Sequence, residues 1–361
     1  MKDLKEYLVE GLFDDVDKLE GKNWLNNNLK FLKKEITDWI INNAEERVYK
    51  NKLSIDTTTN PLTVDYNGNI KMSKSITSLN NDGMFQWGEV KGYFHCPVCT
   101  LLKSLEGAPK KVGGNFSCIH CPSLESLEGA PKEVGGEFQC SYCKNLTSIK
   151  GAPEKVGADF NCYFCNSLKT LEGAPKEVGG KFDCSSCDLL INLKGAPKRV
   201  GRDFDCGQCD SLISLEGSPK EVRNFKCNNC KSLTNLKGAP KEVGGSFDCS
   251  NCVSLKTVEG APEKVGTDFL CSHCPSLESI EGVPQEVDRN FYCASCTSLK
   301  SLKGAPKKVG NSFECSYCPL LTSLEGAPEE VEGNFYCREC GTKFTDEDVE
   351  KVSKVKYSVY L

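Results

Sequence analysis

Twenty-four cysteines stand in twelve Cys-x-x-Cys pairs, and in this chain they are the residues whose type and spacing offer chemistry. Neighbouring pairs such as Cys140-x-x-Cys143 and Cys162-x-x-Cys165, with 18 residues between the facing cysteines, have the spacing of a four-thiolate zinc site. Three readings compete: a row of metal sites, a set of redox or disulfide-forming pairs, and columns of small apolar side chains filling a core. Tetrahedral zinc, with bonds of about 2.3 Å, holds its sulfurs within ~3.8 Å of one another, whereas adjacent strands lie about 4.8 Å apart. Neighbouring turns of chain can absorb that mismatch by pinching together, so context has to decide. Zinc knuckles place Gly or another small residue after the second Cys, where this chain has Pro122, Lys144, Asn166, Asp188 and Val253; Cys337-Arg-Glu-Cys340-Gly341 alone has the knuckle pattern. A catalytic Cys-x-x-Cys needs one distinctive electropositive setting, and twelve near-copies argue against that. Reduced cysteine is among the most buried residue types and packs as a small hydrophobe. Packing is therefore the reading adopted, with no metal ligand and no cofactor assigned and the zinc array as its alternative.

The elements that must position these thiols follow from self-similarity. From about residue 91 to 340 the sequence repeats every 22 residues as F-x-C-x-x-C-x-S-L-x-S-L-x-G-A-P-x-x-V-G-x-x. One step, from Cys206 to Cys227, is a residue short, because Val222-Arg-Asn-Phe225 replaces Val-Gly-Gly-x-Phe. A period in the twenties with this texture predicts a solenoid. Phe116 and Cys118 are two apart, so in an extended segment both point to one face, the interior. Cys121, Leu124 and Leu127 follow at intervals of three; Gly129-Ala130-Pro131 turns the chain, Val134 re-enters the core, and Gly135-Gly136 closes the coil. Proline fixes its own backbone and disfavours helix before it, so the return segment is bent and too short for a full helix.

Phe116-x-Cys118-x-x-Cys121-x-x-Leu124 resembles the leucine-rich repeat core L-x-L-x-x-[N/C]-x-x-L, with Cys121 at the position of the inner Asn or Cys ladder. The GAP and VGG elements resemble, more narrowly, leucine-rich repeat proteins encoded by tailed bacteriophages and their bacterial hosts. The resemblance covers about 250 residues, and departs from the family in reducing the convex segment to L-x-G-A-P-x-x-V. It implies a right-handed, mainly β solenoid with one parallel strand per 22-residue repeat. The expected organisation is an N-terminal helical segment over 1–50, a β cap and degenerate first coil over 51–90, twelve regular coils over 91–340, and a C-terminal cap of short helix and strand over 341–361.

The ends of a repeat array need lids. KLSIDTTTNPLTVDYNGNIKM alternates like strands around an Asn67-Gly68 turn, and Ile70-x-Met72 with Ile76, Leu79 and Val90 reads as the degenerate coil. Thr345-Asp-Glu-Asp348 reads as a helix start with Val349 and Val352 on one face, before a final KYSVYL strand. Trp24, Leu25, Leu29, Leu32, Ile36, Trp39 and Ile40 recur at helical spacing; that face packs on the solenoid's end or docks another protein. MKDLKEYLVEG resembles the capsid-targeting leader of internal head proteins in large tailed phages, ending in Leu8-Val9-Glu10-Gly11, similar to a prohead protease cut site. That resemblance implies a virion-associated protein whose first ten residues are removed.

A formal net charge of -5 and a pI near 5.6 provide no general attraction to nucleic acid or anionic membranes. No apolar run approaches the roughly 20 residues that span a bilayer, and residues 1–11 lack the apolar stretch of a secretory signal. A cytosolic, reducing setting is the expectation, in which thiols stay unpaired. No Gly-rich phosphate loop leads into a helix, no Ser-His-acid or paired-carboxylate set stands out of the repeat, and the three histidines are widely spaced. An enzyme is not expected.

Binding is expected on the exposed face of the parallel sheet, beside the inward Phe and first Cys. That face carries Tyr93, His95, His120, Tyr142, Asp159, Tyr163, Phe164, Asp183, Asp203, Asp205, His273, Tyr292, Tyr317 and Tyr336 as candidate partner-binding residues. Aromatics on a rigid sheet suit protein anchors. The acidic members, with Glu137, Asp248, Asp268 and Glu314 beside a minority of Lys181, Lys226 and Arg338, disfavour phosphate. The expected partner is a protein, through a non-enzymatic solenoid.

Overall fold

The computed structural model describes residues 20–361, so the leader-like residues 1–11 lie outside the described residues. The chain divides into two compact units, one ending at Asp159 and the other spanning Phe160–Leu361. Each is a mainly parallel-β solenoid, and together they hold about 14 turns.

The coil that starts at Phe116 shows why the repeat folds as it does. Phe116–Ser117 pairs parallel and in register with Phe94–His95 on one side and Phe138–Gln139 on the other. One repeat per turn returns like residue to like position, so Phe94, Phe116 and Phe138 stack with centroids 5.9 and 5.2 Å apart and planes within 5° and 7°. In the second unit the same column runs from Phe160 to Phe335, beginning with Phe160 and Phe182 at 5.1 Å. These rings are fully buried, and each contributes about 1.5–3 kcal/mol of hydrophobic stabilisation.

Every regular coil except the one at Val222 also holds a second short strand that the repeat pattern did not disclose. Glu133–Val134 pairs in parallel with Lys111–Val112 and Lys155–Val156. Valine re-enters the core in extended conformation, and the Gly135 amide then donates to the Val112 carbonyl of the preceding coil at 2.9 Å. Gly129, at φ +85°, makes the corner before it, where the Ala130 amide donates to Leu127 O at 3.0 Å. At Gly135 the requirement is contact rather than dihedral: a Cβ there would lie 2.2 Å from Gly113 O.

Charges alternate along this outer strand column. In the first unit Lys111 lies between Glu89 and Glu133, with its Nζ 3.6 and 3.9 Å from their carboxylates. In the second unit the order is Glu177, Arg199, Glu221, then Glu242, Lys264, Glu286, Lys308, Glu330, Lys354. Glu221 and Glu242 break the alternation, at the coil that lacks one residue. There the outer sheet of the second unit also breaks: Glu221 makes a single bridge to Arg199, while Glu242–Val243 pairs with Lys264–Val265. A Cβ on Gly244 would find its nearest atom, Val222 O, 3.8 Å away, where other glycines of the column meet backbone near 2 Å. The inner strands stay paired across the same step, Phe204 with Phe225 and Phe225 with Phe247. The missing residue therefore opens the coils on the outer side alone, leaving a groove of about 710 Å³ between Glu221, Val222, Glu242 and Val243 and running to Glu286.

Both ends of the described array carry lids, and one turn differs from the expectation. Helix α1 (Glu20–Asn43) buries Leu32, Ile36 and Ile40, and sets Trp39 edge-on to Phe85 at 5.6 Å, so its apolar face packs on the first coils. Strands β1 (Leu53–Asp56) and β2 (Leu62–Tyr66) form an antiparallel hairpin that closes at 57–61, not at Asn67-Gly68. The latter is a coil corner, carrying the chain from β2 to the inner strand β3 (Ile70–Lys71), which pairs with Phe94–His95. Ile70, Met72, Ile76, Leu79 and Val90 are buried as a true first coil. At the other end Thr345 caps helix α2 (Asp346–Glu350), its amide donating to Asp348 Oδ2 at 3.0 Å. Val349 is buried, and Lys354–Val355 and Val359–Tyr360 complete the outer and inner ladders.

Candidate partner-binding face

The thiols form two ladders. The first Cys of each pair continues the inner strand and is buried; Cys118 N donates to Gln139 O of the next coil at 2.8 Å. Two residues on, the chain bends through a residue in the left-handed region: His120, Tyr142, Phe164, Gln208, His273, Tyr317 and their equivalents have φ of 50–60°, and none is glycine. This bend turns the second thiol back on the preceding coil, where it donates to the carbonyl of that coil's first Cys. Cys121 reaches Cys96 O and Cys143 reaches Cys118 O, both at 3.2 Å. In the second unit Cys209 reaches Cys184 O at 3.3 Å and Cys252 reaches Cys227 O at 3.2 Å. A carbonyl that the bend removes from the sheet ladder is thereby satisfied. Burial pushes the thiols of Cys206, Cys227 and Cys249 well above their ordinary range and those of Cys209 and Cys252 up to about 12. These five thiols are therefore protonated, whereas hydrogen bonds from neighbouring thiols lower Cys121 and Cys340. Among the described residues no group of three or more Cys, His, Asp or Glu is arranged to hold a metal ion.

The framework displays four side-chain columns on the inner sheet: the residue before Phe, the one between Phe and Cys, the one after Cys, and the left-handed residue. In the first unit Tyr93 stacks on His95 at 4.2 Å and donates its hydroxyl to Glu46 at 2.5 Å. That hydrogen bond raises Tyr93 to about 12, and burial lowers His95. Both residues thus fasten the segment after α1 to the first coil. His120 and Tyr142, in the left-handed column, stack at 4.3 Å with planes 8° apart and His120 exposed. Asp159 is partly exposed, and its carbonyl accepts from Phe138 N.

The second unit carries two groupings. In the first, Tyr163 and Phe164 meet edge-on at 6.1 Å. Lys181 bridges Asp183 and Asp205 at 2.9 and 3.2 Å. Asp183 is 8% exposed and its Oδ1 also accepts from the Ser185 hydroxyl at 2.6 Å, so its carboxylate is spent inside the sheet. Asp203 accepts from Asn224 at 2.7 Å. In the second, His273, Tyr292, Tyr317 and Tyr336 gather over the last coils, with Tyr317 52% exposed and Tyr336 stacked on Tyr360 at 4.6 Å.

Two further features of this unit carry no motif of their own. Phe164, Asn166, Asp188, Gln208, Asp210 and Lys231 line a shallow groove of about 340 Å³. Nearby Leu189, Ile191 and Ile213 are exposed at positions where other coils mostly carry Ser, Asn, Lys, Glu or Thr. Aligning the coils position by position carries that signal.

No protein family and no curated protein matches the chain. Among solved structures, the pneumococcal vaccine antigen PcpA aligns over 88% of this chain and 99% of its own at 11% identity, with a TM-score of 0.18. Among the described residues no helix is long and apolar enough to cross a membrane.

Proposed function

We propose that this protein is a non-enzymatic binding solenoid that recognises a protein partner through the exposed face of its inner strands. One contrast between its two exposed surfaces carries the reading. The outer surface repeats Lys and Glu in nearly every coil and pairs them with each other, as in Lys264 with Glu242 at 3.0 Å and Lys308 with Glu330 at 3.2 Å. The inner face rests on invariant Phe and Cys yet changes chemistry from coil to coil: the left-handed position holds Val98, His120 and Tyr142 in the first unit, and Phe164, Ser186, Gln208, Asn229, Asn251, His273, Ser295, Tyr317 and Glu339 in the second. Solubility alone would be served by the outer pattern on both sides. A bulky non-glycine residue in the left-handed region costs of order 1 kcal/mol, and the chain accepts that in each coil while varying the side chain displayed. Large rigid surfaces of this kind suit protein recognition, and buried reduced thiols fit a cytosolic setting. The GAP and VGG elements support a phage-type origin.

The test is capture from host lysate with wild type, with Tyr142→Ala, Tyr163→Ala and Tyr292→Ala combined, and with an outer-face control, Lys264→Ala and Lys308→Ala. The expected result is a partner lost from the inner-face variant and kept by the control. Equal recovery by all three refutes the reading.

A further inference from the structure

Within the sheet-face reading, on which this inference rests, the last coils of the second unit form a more specific feature. Glu314 pairs in register with Tyr292 on one side and Tyr336 on the other. Along its own strand the same-face neighbours are Ser312 and Ser316, both small and buried. A carboxylate is thus walled by tyrosines across the sheet and by serines along it. Two strand spacings set the two tyrosines about 9.6 Å apart on either side of Glu314, room for one planar group over the carboxylate. Tyr336 is braced from behind by Tyr360, stacked within 5°, and its hydroxyl accepts from Asn334 Nδ2 at 3.1 Å. The Glu314 carboxylate has no hydrogen-bond or ion-pair partner among the described residues, while its backbone carbonyl accepts from Cys293 N at 2.8 Å. Burial raises its pKa, against the opposing charges of His273 and Arg338. The face already holds one guanidinium on a tyrosine: Arg338 Cζ lies 5.1 Å from the Tyr360 centroid.

We propose that the Tyr292–Glu314–Tyr336 slot receives an arginine side chain from an exposed basic segment of the partner protein. A guanidinium is planar, stacks on aromatic faces, and matches a carboxylate with two parallel N–H donors. An ammonium lacks that plane and fork, so arginine is preferred over lysine. Phosphate is disfavoured by Glu314 together with Asp268 and Asp248 on the same face.

The experiment uses the full chain and three fluorescein-labelled peptides, alike except for three Arg, three Lys or three Glu among Gly and Ser, read by anisotropy. The Arg peptide binds tightest and loses at least tenfold in affinity to Glu314→Gln, which preserves shape, and to Tyr336→Leu. Asp205→Asn, on the same face several coils away, changes it by less than twofold. Equal binding of Arg and Lys peptides, or equal affinity of wild type and Glu314→Gln, overturns the slot. A natural partner captured by wild type and Glu314→Gln alike but lost from the Tyr142, Tyr163, Tyr292 variant also overturns it, while leaving the face reading intact.

Discussion

Replacing Cys209 by alanine tests what the second thiol of each pair does. Its Sγ is fully buried and donates to Cys184 O at 3.3 Å. Alanine leaves that carbonyl without its donor, at about 1–3 kcal/mol for a buried unsatisfied group, and opens a sulfur-sized void that adds about 1 kcal/mol. The sum is about 2–4 kcal/mol. Serine at the same position keeps a donor in a slightly smaller side chain and is expected to cost about 1 kcal/mol. The first thiol behaves differently: Cys206 Sγ approaches Lys226 O, a carbonyl that already accepts from Cys206 N, so Cys206→Ala costs little beyond its void. Urea unfolding followed by circular dichroism, with hydrogen exchange locating the loss, should rank Cys209→Ala well below Cys206→Ala and Cys209→Ser. Equal destabilisation by both alanines, or serine as harmful as alanine at 209, refutes the ladder of donated thiols.

Further outcomes follow from the same geometry. Burial on folding pushes Cys209, Cys252, Cys274 and Cys296 up to about 12, above the 9.0 of an unfolded thiol. The folded state therefore retains protons that the unfolded chain releases; their contribution is whole below about pH 9 and is lost as pH rises toward 12, which urea midpoints against pH will show as an alkaline decline. Val98, β-branched at φ 59° and 46% exposed, should be improved by Val98→Asn by roughly 1 kcal/mol, read as a higher melting temperature. Gly135→Ala forces a Cβ onto Gly113 O and should cost about 1–3 kcal/mol, whereas Gly244→Ala, at the seam, should be near neutral; similar losses at both would remove the seam. Hydrogen exchange should find the amides of 241–244 less protected than those of 263–266, and inserting one Gly after Val222 should abolish the difference.

The sequence made the coil legible because the buried columns are nearly pure: Phe116, Cys118, Cys121, Leu124, Leu127 and Val134 recur with their spacing, and each has one place to go. The outer strand was not legible, since Glu133–Val134 is only two residues long and its partners lie a full repeat away. The left-handed bend was hidden for a clearer reason. Glycine usually marks such a position, and here Tyr142, Phe164 and Gln208 occupy it. Direction of display suffered accordingly: Asp183 reads as exposed from strand alternation but is drawn inward by Ser185 and Lys181. Tyr93 likewise reads as a binding residue, yet its hydroxyl is held by Glu46, 47 residues earlier in the chain, a contact no local pattern announces. The seam at Val222 was visible as a missing residue, but its effect on the outer strands depends on the backbone contacts of Gly135-like positions.

Reduced, metal-free cysteine as core filling is the claim on which the rest depends, and the intact mass of the natively purified chain under non-denaturing conditions tests it most directly. The predicted mass is that of the polypeptide with all 24 cysteines carrying their thiol hydrogens. A mass raised by bound zinc or iron, or lowered by pairs of hydrogens lost to disulfides, would contradict it.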